Sequence, residues 1–123
     1  MKDITYNNID AILLPWARKH DFHVFTECKE EETRSMIVVD ASGNQFGIYA
    51  IPDWENDNKT VAVGADLDKR GGKKHTFYRE RKQYHFRKSV DLDKMGKTLE
   101  EALEITKAWG FKIKEAASSP KST

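Results

Sequence analysis

Apolar residues recur at helical spacing near both ends of the chain and as short strand-like runs between them. Wound as a helix over residues 5–20, the chain places Ile9, Ile12, Leu13, Trp16 and Ala17 on one stripe. Thr5 or Asn7 is placed to cap its start, and Lys19 and His20 suit the negative end of its dipole. Pro15 is expected to bend this helix near Ala11 rather than split it. Phe22–Lys29 alternates as a strand, with Phe22, Val24, Thr26 and Cys28 on one side and His23, Phe25 and Glu27 on the other.

The central signal is Met36–Ile51. Two runs rich in β-branched and aromatic residues flank Asp40-Ala41-Ser42-Gly43-Asn44, which is turn chemistry. This predicts a hairpin between strands over 33–39 and 46–51. Met36-Ile37-Val38-Val39 does not alternate, so both of its faces are expected to be covered. Helices can cover one face; the other needs a loop, a tail or another protein.

Pro52–Asn58 reads as a loop, with Trp54 folded back on the core, and Thr60–Leu67 as a fourth strand. Lys69-Arg70-Gly71-Gly72-Lys73 is a turn into His75–Lys88, predicted as one long, bent edge strand. Asp91–Lys97 reads as a linker. Thr98 and Glu101 have the spacing of a capping box, Leu99, Ala102, Leu103, Thr106 and Trp109 form a stripe, and Gly110 suits a helix end. The sum is an α+β two-layer sandwich: an N-terminal helix, an antiparallel meander of about five strands, and a C-terminal helix packed on one sheet face. One domain over residues 1–113 and a disordered tail over 114–123 are expected.

Composition narrows the class. No run of 18 or more apolar residues is present, and the first eight residues predict no signal peptide. The single cysteine, Cys28, has no intrachain partner, which predicts a cytoplasmic, reducing setting. The net charge of +1 conceals a polarity. Residues 1–68 hold 6 basic and 13 acidic side chains, residues 69–90 hold 9 and 1, and residues 91–123 hold 6 of each. Such a chain can bind an acidic partner or neutralise itself across a sheet.

Two stretches carry candidate contacts. Lys69, Arg70, Lys73, Lys74, Arg79, Arg81, Lys82, Arg87 and Lys88 lie among Phe77, Tyr78, Tyr84 and Phe86. Cations neutralise phosphates and aromatics stack bases, so nucleic acid or an acidic partner fits; an edge strand facing the acidic half of the chain fits as well. If the strands pair in sequence order, Phe25, Ile37, Val39, Tyr49 and Ile51 share the second sheet face, as a protein interface or as covered core.

Metal and catalytic patterns are weaker. His20, His23 and Cys28 lack a fourth ligand, and alternation sets His23 and Cys28 on opposite faces. Asp53, Glu55 and Asp57 imitate a calcium loop, but Asn58 and Gly64 stand where glycine and glutamate are needed. His75 or His85 beside Glu80, Tyr78 or Tyr84 offers acid–base pairs for a small phosphodiester-acting enzyme. No cofactor or metal is expected. The pattern as a whole favours a small, non-enzymatic cytoplasmic protein-binding module, adaptor- or inhibitor-like, with a protein partner or a homodimer and no membrane. A nucleic-acid-binding module using 69–88 is the alternative, and the small enzyme a second.

Overall fold

The computed structural model of the 123-residue chain describes residues 3–28, 30–67 and 84–118. Helix α1 spans Tyr6–Lys19. Thr5 caps it through a reciprocal pair with Asn8: the Thr5 hydroxyl accepts from the Asn8 N–H, and the Asn8 side chain accepts from the Thr5 N–H. Ile9, Leu13, Trp16 and Ala17 are its buried face. Pro15 does not split it. Pro15 and Ala11 are both exposed, away from the buried face of the helix.

Five strands follow: β1 (Val24–Cys28), β2 (Glu31–Val39), β3 (Gln45–Pro52), β4 (Val61–Leu67) and β5 (His85–Val90). They pair in sequence order, each antiparallel to the next, as the expected meander. The β2–β3 turn closes on Asp40, whose carboxylate accepts from the N–H groups of Ser42 and Asn44, with Gly43 at φ +87°. A 3₁₀ turn, Trp54–Asn56, lies between β3 and β4, and another, Leu92–Lys94, leads into helix α2 (Met95–Ser118).

Both helices lie on one face of the sheet. Met36, Ile48, Ala50, Val61, Val63, Ala65 and Val90 pack there with Ile9, Leu13 and Trp16 of α1 and Met95, Leu99, Ala102 and Leu103 of α2. A second buried group, Phe46, Leu67 and Tyr84, takes Trp109 and Ile113 of α2.

The ends of α2 correct the expected ones. Thr98 is not a cap. The helix starts three residues earlier, and the Thr98 hydroxyl donates back to the Lys94 carbonyl at 2.9 Å. Met95 is fully buried, so core packing rewards winding the expected linker. Gly110 does not end the helix, because Ile113 still has core to reach. Gly110 instead makes room: a Cβ there would stand 2.6 Å from Oδ2 of Asp40 in the hairpin turn. Residues 114–118, expected to be disordered, are helical, while 119–123 lie outside the described residues.

The strands differ in smaller ways. β1 starts at Val24, and Phe22 packs on Trp16 and His20 instead. Simple alternation fails where Phe25↔Ser35 is followed by Glu27↔Glu32: β1 contributes one residue and β2 two, Thr33 and Arg34. Of the long strand expected over 75–88, residues 75–83 lie outside the described residues, and β5 continues to Val90.

Candidate interaction face

The face of the sheet away from the helices is set by register. One cross-strand row reads Phe25, Ser35, Tyr49, Gly64, Arg87, and the next reads Ile37, Gly47, Asp66, His85. Val39 lies beyond the second row and Ile51 beyond the first. Phe25, Ile37, Val39, Tyr49 and Ile51 therefore do share one face, all on β1–β3. Phe25 is 40% exposed and Val39 58%, and the other three are half-buried. They share that half with Ser35 and Gln45. The β4–β5 half carries Asp66, His85, Arg87 and Ser89.

Two glycines keep the middle of this face flat. The Tyr49 ring lies across Gly64, occupying the space a Cβ would need. The Asp66 carboxylate leans over Gly47, 3.0 Å from the position of its missing Cβ. At the outer edge the His23 ring meets Phe25 edge-on, with centroids 4.6 Å apart.

One end of the face is fastened by a polar network around Asp53. This side chain is buried and accepts from the Ser89 hydroxyl (2.7 Å), the Glu55 N–H (3.2 Å) and the Arg87 guanidinium (3.4 Å). Thr60 and Ser89 hydroxyls lie 2.6 Å apart, and Asn56 donates to Thr60. The Ser89 bond is the main reason the Asp53 carboxyl sits below its usual pKa. Burial opposes the shift, and the Glu55 N–H and Arg87 add to it. For Arg87, burial works against the charge. Tyr49, Glu55 and Asp53 nearby outweigh it and raise the pKa. Tyr49 and Arg87 stand in one cross-strand row, on either side of Gly64. Trp54, expected on the core, is 67% exposed instead, because the 3₁₀ turn that Asp53 nucleates swings it outward.

The other expected sites fare differently. Of the basic segment, Lys69, Arg70, Lys73, Lys74, Arg79, Arg81 and Lys82 lie outside the described residues. Arg87 is bonded to Asp53, and Lys88 lies 3.4 Å from Glu101, so both have acids of their own chain. His75, Tyr78 and Glu80 also lie outside the described residues. Tyr84 does not stand beside His85. It is buried against Trp109 on the helix side, while His85 is exposed on the other face.

Among the described residues, no group of three or more His, Cys, Asp or Glu is arranged to hold a metal. His20 is occupied at the junction of the helices: its Nε2 lies 3.1 Å from Oε1 of Glu100, which also accepts from the Trp16 indole at 2.8 Å. The His20 bond, then the Trp16 bond, hold the Glu100 carboxyl below its usual pKa. The Asp53 loop is no calcium loop, since its first acid is consumed by Ser89, Glu55 and Arg87.

Three clusters were not legible beforehand. Asp53 with Ser89 and Arg87, and His20 with Glu100, join residues far apart in the chain. The third ties α1 to β2: Arg34 is buried at the bulge, bonds both oxygens of Asp10 (2.6 and 3.1 Å), and stands 4.7 Å from the Tyr6 ring centroid. No local pattern announces these pairs, because an arginine or aspartate in a polar stretch reads as solvated until its partner is known.

Comparison of the chain with protein families, with curated proteins and with solved structures finds no match.

Proposed function

We propose that this protein is a non-enzymatic binding module that engages a protein partner through the open face of its sheet. One observation carries the reading: both helices cover the same face, and the opposite face presents Phe25, Ile37, Val39, Tyr49 and Ile51 in register. Apolar surface left in water forgoes about 25 cal/mol per Å², which a partner recovers on binding. Tyr and Arg are enriched at interface hot spots, and Tyr49 and Arg87 share one row of this face. The bond to Asp53 holds Arg87, and the space over Gly64 seats the Tyr49 ring, before binding, which lowers the entropy lost on association. An adaptor or inhibitor is the kind of protein that works this way, and the lone cysteine suits a cytoplasmic setting.

The test uses the full chain as bait, beside Ile51→Glu and Phe111→Glu. Phe111 is exposed on α2, away from the face. A stoichiometric protein partner, this chain itself included, should be retained by wild type and Phe111→Glu and lost with Ile51→Glu. Equal retention by all three would remove the reading.

A nucleic-acid module is the second reading. It is supported by the 9 basic and 1 acidic side chains of residues 69–90, whose last six residues form β5. Binding of labelled RNA or DNA that weakens steeply between two salt concentrations would favour it.

A further inference from the structure

We infer that a groove beside the Trp54–Asn56 turn binds a basic peptide segment of a partner protein, with an arginine or lysine laid on the Trp54 ring. The site goes beyond the open-face reading above and meets that face only at Ile51.

The walls of the groove are fastened to each other. The stretch before α1 is tied to the loop after β3, because the Ile4 N–H donates to the Asn58 carbonyl at 2.7 Å. The start of α1 is tied to β2, because the Tyr6 hydroxyl donates to the Glu32 carbonyl at 3.1 Å. These ties border a space of about 550 Å³ lined by Ile4, Tyr6, Glu32, Ile51, Pro52 and Trp54. That size suits a bound ligand, and walls already in place lose little entropy when the space is filled.

The side chains that remain uncommitted point to a peptide. Trp54 is 67% exposed, and its indole N–H has no partner among the described residues. An indole face attracts a guanidinium or an ammonium more strongly than the other aromatic rings do. Its N–H can donate to a peptide carbonyl at the same time. The side-chain amides of Asn7 and Asn58 share the lining and are also uncommitted among the described residues. Each can pair with the backbone of an extended segment.

Charge selects which peptide. The segments that build the groove, residues 3–10, 29–34 and 51–59, hold 2, 3 and 3 acidic side chains against 0, 2 and 1 basic ones. Arg34 bonds both oxygens of Asp10 and also lies 3.2 Å from Glu32. Two carboxylates thus share one guanidinium, and one negative charge is left over. Of the two, Glu32 is the more open, its side chain 58% exposed against 25% for Asp10. Lys59 is paired with Asp3. Glu55 and Asp57 are exposed and in no ion pair among the described residues. Such a field draws a cationic segment and repels a phosphate backbone.

Nuclear magnetic resonance of the full chain, read at the Trp54 indole N–H, provides the test. The probe is a short peptide of alternating arginine and alanine, beside its glutamine–alanine and glutamate–alanine counterparts. The arginine peptide alone should shift the Trp54 signal saturably, and the affinity should fall as salt is raised. By titration calorimetry, Trp54→Ala should weaken binding about tenfold with the circular dichroism spectrum unchanged. Glu32→Gln should weaken it less, and Val39→Glu, on the open face, should leave it intact. A Trp54 signal that ignores the arginine peptide, or moves equally with the glutamine peptide, overturns the inference. So does binding that survives Trp54→Ala and falls with Val39→Glu, which would seat the peptide on the open face instead. A shift of the Trp54 signal by single-stranded RNA would overturn it as well.

Discussion

Asp53 shares its loop with Glu55 and Asp57, and only its neighbours across the sheet set it apart. Its carboxyl is held below the usual 3.8, chiefly by the Ser89 hydroxyl. A group whose pKa falls on folding stabilises the fold above its unfolded pKa, and that contribution is lost as pH drops through the folded value. The protein should therefore lose stability as pH falls below about 4. Asp53→Asn should flatten that acid limb and cost about 1–3 kcal/mol near neutral pH, as urea midpoints across a pH series would show. Gly64 is a second residue whose role is spatial. Gly64→Ala puts a methyl where the Tyr49 ring lies. Displacement of the Tyr49 ring, seen as a change in its side-chain NMR signals at unchanged secondary structure, is expected, with a cost of about 1–3 kcal/mol from overpacking.

Helix α2 shows tertiary packing overriding local signals at both ends. Thr98 with Glu101 is a sound capping box by spacing, yet the buried Met95 draws the helix three residues further back. Gly110 is a sound helix stop by propensity, yet Ile113 carries the helix past it. Glycine to alanine inside a helix ordinarily adds about 1 kcal/mol of stability. Gly110→Ala should do the opposite, because the Asp40 carboxylate 2.6 Å from the new Cβ is tied to the Ser42 and Asn44 N–H groups. A lowered thermal midpoint for Gly110→Ala, with Asp40→Ala/Gly110→Ala recovering part of the loss relative to Asp40→Ala, would establish it. At α1 the helix stripe and Thr5 both held, since capping and apolar spacing pointed the same way.

Among the described residues, both helices lie on one side of the sheet, and Phe25, Ile37, Val39, Tyr49 and Ile51 lie on the other. If a partner binds there, binding and folding are linked, and the thermal midpoint should rise with partner concentration for wild type but not for Val39→Glu. Scanning calorimetry over a hundredfold range of concentration measures this directly. Among the described residues no helix is long and apolar enough to cross a membrane.

The sequence by itself determined what repeats at short range: an apolar stripe every three or four residues, alternation in strands, and turn residues between them. Those periods set the element order, the antiparallel meander and the one-sided helices, and with pairing in order they also placed Phe25, Ile37, Val39, Tyr49 and Ile51 together. Tertiary structure decided what depends on distant partners. The ends of α2, the burial of Arg34 on Asp10 and the Asp53–Ser89–Arg87 network all join positions far apart in the chain. The energy of a buried polar group or a helix end lies in its partner, and a local pattern does not contain that partner.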